Sequence, residues 1–320
     1  MKQAARLGLY NSLGRMSLQV GPPRPNVLIF SSRRSGSTWL SELLATQPRT
    51  KRILEPYDTS LNHPHYLQSL PKSRDGFFFD LSQKEEEQIF RFYEDMASCR
   101  KLLRTQWKLW KPDHHFLYDR MVFKFFYVKD YIAEFHRRYD VRVLYLIRHP
   151  VPTALANLKL GWPCTLDAYL QHPAHLERIL NGHQLETVAR VSSAGTPLER
   201  YVLGWFLENW LALQQSRTAT WPVLRYEDMV REPTATLELL DASVGLDDHG
   251  ELEQRYTQPS FNSFDSARRV KSGDAVRITE FWKNDDRVHT SRGLPTIFEA
   301  FETPYYRWGE EATSRLQETA

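Results

Sequence analysis

Cysteine is nearly absent: Cys99 and Cys164 are the only two in 320 residues. With so few, a disulfide framework is excluded, and without a CxxC or a Cys/His cluster a structural zinc site has no ligand set. One bridge between the two stays open beside the alternative of two free thiols. No stretch approaches the ~18 consecutive apolar residues of a membrane span. The first residues, MKQAARLGLYNSLGRMSLQV, are mildly basic and carry no apolar core of signal-peptide length. On these grounds the sequence reads as cytoplasmic, with an amphipathic or transit role for residues 1–20 left open. Charge of either sign is also lacking in excess. The balance of 42 basic and 39 acidic residues leaves +3, too little for general nucleic-acid affinity, although a local arginine cluster can still select an anion. No internal repeat is visible.

What is present is ordinary for a globular chain, 41% hydrophobic and 25% charged, and nothing forces more than one domain. Residues 1–25 read as an N-terminal extension and 26–320 as a single domain. Short apolar runs at 27–31, 121–128, 141–147 and 221–226 read as buried strands. Between them, helices are predicted over 38–45, 82–104, 129–139, 151–160, 166–180, 197–217 and 233–245, the second opened by a Ser82/Glu85 capping box. Strands separated by helices predict an α/β fold with a central parallel sheet flanked by helices. Residues 56–80 look like irregular surface, and 259–275 (PSFNSFDSARRVKSGDA) like a basic lid loop.

The most informative stretch is FSSRRSGSTWL, residues 30–40. A strand, a turn of small residues and a helix start together make an anion cradle, because unpaired amides of the first helical turn and the helix dipole both favour negative charge. Gly36 permits the tight turn, Ser35, Ser37 and Thr38 add hydroxyls, and Arg34 adds a planar cationic fork. The bland alternative is a capped helix with surface arginines. The G-x-x-x-x-G-K-[ST] pattern of nucleotide hydrolases is absent, which argues against a P-loop kinase.

RRSGSTWL resembles the 5′-phosphosulfate loop of the sulfotransferases that use 3′-phosphoadenosine 5′-phosphosulfate (PAPS) as donor. Three further stretches resemble that family in the same order. LYLIRHPVPTALAN (144–157) matches its 3′-phosphate strand and helix, VLRYEDMVREP (223–233) its strand-end motif, and ITEFWKND (278–285) its tryptophan-lysine segment. The resemblance, which is to the carbohydrate or Golgi-type motif variant, implies a P-loop-like sulfotransferase fold with no metal. It implies donor contacts from Arg34, Ser35, Gly36, Ser37, Thr38, Trp39, Arg148 and Tyr226. Tyr226 is an adenine neighbour on this reading and a core tyrosine otherwise; Trp39 also suits core packing.

Catalysis in such a family is positioning plus cationic stabilisation, here assigned to Arg34, with Arg33 pointing elsewhere. Glu55, in RILEPY, sits where Golgi-type members carry a glutamate base. His114 and His115 are the alternative, since small-molecule members use a histidine. Lys124 lies inside an apolar strand, either near the sulfuryl group or snorkelling to an edge. One departure stands out: the family's serine eight residues past the phosphate arginine is Ala156 here. Thr153 or Asn157 can substitute, and Arg268, Arg269 and Lys271 of the closing loop can add charge. Glu227 and Asp228 read as caps of the next helix, and Trp107 and Trp110 as acceptor-pocket or core residues. The expected reaction is sulfuryl transfer to a glycan or glycolipid hydroxyl, with a small alcohol or phenol as other acceptors. An inactive nucleotide-binding module is the remaining reading.

Overall fold

The computed structural model describes residues 18–58, 68–73, 76–100, 117–260 and 275–309. Seven strands occur among them: β1 (Leu18–Gln19), β2 (Asn26–Ser31), β3 (Thr50–Leu54), β4 (Leu117–Tyr118), β5 (Arg120–Phe125), β6 (Val141–Ile147) and β7 (Val223–Arg225). Five form one sheet in the order β3-β5-β2-β6-β7, while β1 and β4 form a separate pair. The pairings β2–β5, β3–β5 and β6–β7 are all parallel. Strands buried on both faces explain the unbroken apolar runs VLIF and VLYLI, and the four strand predictions land on sheet members.

The chain divides into two compact units, Met1–Phe30, Thr38–Leu144 and Val244–Tyr256 in one, and Ser31–Ser37, Tyr145–Ser243 and Thr257–Ala320 in the other. In the first, aromatic rings fill the core. Phe125 packs on Phe30 at 5.2 Å and on Tyr57 at 5.2 Å, and Phe135 on Phe90 at 5.1 Å. Tyr57, Phe77 and Phe78 are buried, so part of the 56–80 stretch expected at the surface lines the core. A loop that buries anchors has no periodic pattern, so composition alone misplaced it. The helix Gln83–Ala97 starts at Ser82 with the full capping box, but it stops short of the predicted end; Cys99 has φ +55.

The second unit is built around the helix Pro197–Gln215, capped by Thr196 and Glu199. The single helix expected over 166–180 is two, Thr165–Leu170 and Pro173–Ile179. Pro173 lacks the N–H a continuous helix needs and instead starts a new one. The helix Gly182–Ala194 has no counterpart among the predicted elements, although its Asn181/Gln184 capping box is a readable signal. WPVLRY is a strand only over Val223–Arg225, and Tyr226 opens the next helix. Both cysteines are free thiols.

Candidate active site

The loop between β2 and the helix Ser37–Leu44 reverses the chain in the left-handed region twice, at Arg34 (φ +65) and Gly36 (φ +95). Gly36 is required on two counts: its φ, and the 2.4 Å that a Cβ would leave to Cδ2 of Tyr226. Ser35 is buried and donates its hydroxyl to the Ser32 carbonyl at 2.7 Å, closing the turn from inside. Arg148, just past β6, donates Nη1 to the Arg34 carbonyl at 3.1 Å, and its guanidinium lies 4.6 Å over the Tyr226 ring. Its buried Nε has no hydrogen-bond partner. Partial desolvation and then the like charge of Arg148 lower the Arg34 pKa. The loop thus concentrates positive charge and unspent donors, as a polyanion site does. Replacing Gly36 by alanine strains the backbone and displaces Tyr226; a loss of about 1–3 kcal/mol in stability is expected, measured by urea unfolding.

Tyr226 is half-buried and its pKa is raised, chiefly by burial, so it stays a neutral phenol. Glu227 and Asp228 do not cap a helix from outside; they occupy its first turn, where each carboxylate has fixed partners. Asp228 holds Arg225 at 2.7 and 2.5 Å. Glu227 accepts from the His149 amide at 3.0 Å and from the Tyr306 hydroxyl at 2.8 Å. His149 in turn caps the helix Pro150–Lys159 and stacks on Trp282 at 4.4 Å. Within this unit, two of the sequence motifs meet through that stack.

Burial, with Arg148, Lys283 and Arg225 adding to it, lowers the His149 pKa to about 3. The folded value lies below the unfolded one of about 6.5, so the unfolded chain takes up the proton first. Stability is therefore full above the unfolded pKa and falls as pH drops from there toward the folded value. The slope approaches about 1.4 kcal/mol per pH unit for one proton. Urea unfolding between pH 7 and 5 checks it, and the His149→Gln variant is expected to lose most of that slope.

The first unit holds the other candidate cluster. Lys124 on β5 neither snorkels nor stays unpaired. Its side chain is 2% exposed, and Nζ donates to Glu55 Oε1 at 2.5 Å and to Thr38 Oγ1 at 3.0 Å. Burial lowers the Lys124 pKa, with Glu55 opposing. Glu55 follows β3 at φ +50, its amide bonded to the Lys124 carbonyl at 2.9 Å. A left-handed non-glycine residue stores strain of a kind that clusters at functional positions, and here it turns the carboxylate back onto Lys124.

Other candidates fall less simply. Thr153 is buried and donates its one hydroxyl proton to the His149 carbonyl at 3.0 Å, whereas Asn157 Oδ1 is buried without a partner. The Trp39 ring lies edge-on to Tyr256 at 4.8 Å, and Arg33 lies 5.1 Å over Trp162. Arg268, Arg269, Lys271, His114, His115, Trp107 and Trp110 lie outside the described residues. Sequence reasoning missed Trp162 and the structural role of His149, which is written only in an unremarkable RHP. Among the described residues, no cluster of His, Cys, Asp and Glu could hold a metal ion, and no helix is long and apolar enough to cross a membrane.

The sulfotransferase family model matches residues 25–250. No curated protein matches the sequence significantly. Among solved structures, the chain is similar to a sulfotransferase domain from the Synechococcus PCC 7002 olefin synthase. Identity there is 17%, over 84% of this chain and 90% of that one, with a TM-score of 0.45. A sulfotransferase domain from the curacin biosynthetic pathway is also 17% identical, over 93% and 97%, with a TM-score of 0.42. A sulfotransferase from Alicyclobacillus acidocaldarius is 14% identical, over 82% and 99%, with a TM-score of 0.35.

Proposed function

Starting from a chain that belongs to the sulfotransferase family, we propose that it moves a sulfuryl group from PAPS to an acceptor hydroxyl, with Glu55 as base. The observation that carries the donor assignment is the Arg34–Arg148–Tyr226 arrangement. Arg34 lies in the loop and Arg148, from the end of β6, is bonded to that loop's backbone. Arg148 has a buried Nε with no partner, and an aromatic ring stands beside it. That chemistry fits a nucleotide bearing more than one phosphate group and a base that stacks. The space left by the missing Cβ of Gly36 is already filled by Tyr226, so the ring itself is part of the cradle.

PAPS supplies an activated sulfuryl group, and the chain supplies position, charge and a proton acceptor. Arg34, Ser37 and Thr38 hold the 5′ end, and Arg148 the 3′-phosphate. Asn157 is the better substitute for the serine missing at Ala156, because the Thr153 proton is spent on its own helix while the Asn157 amide is not. An amide flip would turn its NH2 toward an anion. Glu55 takes the acceptor's proton on its carboxylate, and Lys124 keeps that carboxylate oriented. A glycan or glycolipid acceptor is favoured by the glutamate base and the RSGST form of the loop.

Calorimetric titration with 3′,5′-adenosine diphosphate tests the donor site. Binding without added metal supports it. No binding, with ATP and magnesium bound instead, returns the loop to the P-loop kinases. Donor binding with no transfer across a broad panel of sugars, alcohols and phenols favours a binding module instead.

A further inference from the structure

Beneath the Glu55–Lys124 pair lies a second buried ionic group that the proposed reaction does not use. Glu42, on the helix Ser37–Leu44, has a side chain only 3% exposed. Arg255, the penultimate residue of the helix His249–Tyr256, donates to its Oε2. Arg52 of β3 approaches Oε1 at 3.7 Å, with its own side chain 5% exposed. Arg52 also reaches the Ser41 hydroxyl at 3.4 Å, and that hydroxyl donates to the Thr38 carbonyl at 2.8 Å. Thr38 Oγ1 then receives Lys124 Nζ. A continuous polar path therefore runs from Arg255 through Glu42, Arg52, Ser41 and Thr38 to Lys124 and Glu55.

We infer that Glu42, clamped between Arg52 and Arg255, is a positioning residue of the reaction centre, fixing the charge and the helix turn that hold Lys124 against Thr38 and Glu55. The inference rests on the role proposed for Glu55. Its physical basis is that buried charges must be compensated locally. Along this path three cations, Lys124, Arg52 and Arg255, meet two carboxylates, Glu55 and Glu42. Without Glu42, only Glu55 is left to oppose burial and Arg52 at Lys124, and the cation that steadies the base is the group least able to stay charged. The groups acting on Lys124 are Glu55 and Arg52 from the β3 segment, Glu42 and Thr38 from the helix, and the Phe126 ring 4.7 Å away. Edge-on packing of Tyr256 against Trp39 holds the Arg255 end of the path in place.

The test reads Lys124 directly and needs no acceptor. Protein carrying carbon-13-labelled lysine is titrated by NMR, with Lys124→Arg assigning the resonance. Glu42→Gln is expected to lower the Lys124 midpoint by about 0.5–1 pH unit, and Arg52→Gln to raise it by a similar amount. If Arg52→Gln does not fold, Arg255→Gln removes a positive charge from the other side of Glu42 and is expected to shift the midpoint upward too. Opposite shifts support the inference; midpoints that stay put, or move together, overturn it. Glu55→Gln, assayed with any acceptor that turns over, tests the base separately. Full activity there sinks the reading of Glu55 while the Lys124 titration still judges Glu42.

Discussion

Replacing Arg148 by alanine is expected to weaken binding of 3′,5′-adenosine diphosphate by roughly 30- to 1000-fold, about 2–4 kcal/mol, with little change in fold. The size follows from what Arg148 does in the structure. One terminal nitrogen fixes the Arg34 carbonyl, the guanidinium plane lies over Tyr226, and the buried Nε is bonded to nothing. An unspent buried donor costs stability until an anion meets it, so with the donor role proposed for it the residue is expected to contribute more to binding than to folding. Isothermal titration of the two proteins at one salt concentration measures the effect. Arg148→Lys separates charge from shape: a point charge keeps the attraction but loses the planar fork and the stacking, and an intermediate loss is expected. Equal affinity for the native protein and Arg148→Ala would remove the 3′-phosphate from this arginine altogether.

Much of this site can be read in the linear sequence, and the reason is local. Loop-forming residues, the glycine and the arginines of SSRRSGSTW are consecutive, so spacing alone places them at the end of a buried strand. RHP after VLYLI and YEDM after VLR are legible in the same way, each following an apolar run. What could not be read is everything held by pairing across the chain. That Lys124 meets Glu55 depends on the β3–β5 register, which sets Leu54 opposite Lys124. Glu42, Arg52 and Arg255 are separated by up to 213 positions and look like ordinary helix and strand charges. His149 carries no periodic signal either, and its buried, stacked position depends on Trp282 and Tyr306, which are distant in sequence. The stretch at 56–80 erred in the opposite sense, since turn-forming composition concealed Tyr57 and Phe78 in the core.

Glu55→Gln is expected to lower kcat by about 10²- to 10⁴-fold while leaving donor affinity near its native value. The substitution keeps the shape and a carbonyl oxygen for Lys124 Nζ, so the contact survives while the proton acceptor is lost. It also removes the charge that opposes burial at Lys124, whose pKa then falls further below the usual ammonium value. Activity lost through an unprotonated lysine recovers as pH is lowered; activity lost for want of a base does not. A pH series on the variant therefore separates the two, and a flat, uniformly depressed profile assigns the proton to Glu55. If kcat falls by less than about tenfold, the base lies elsewhere. His114 and His115 are then the next residues to replace, because histidine is the side chain whose ordinary pKa suits proton acceptance near neutral pH. The outcome also bears on the acceptor. A carboxylate held by a buried lysine suits an alcohol that must lose its proton during attack. A phenol ionises far more readily and depends less on a base, so a strong Glu55 effect favours sugar or aliphatic hydroxyls.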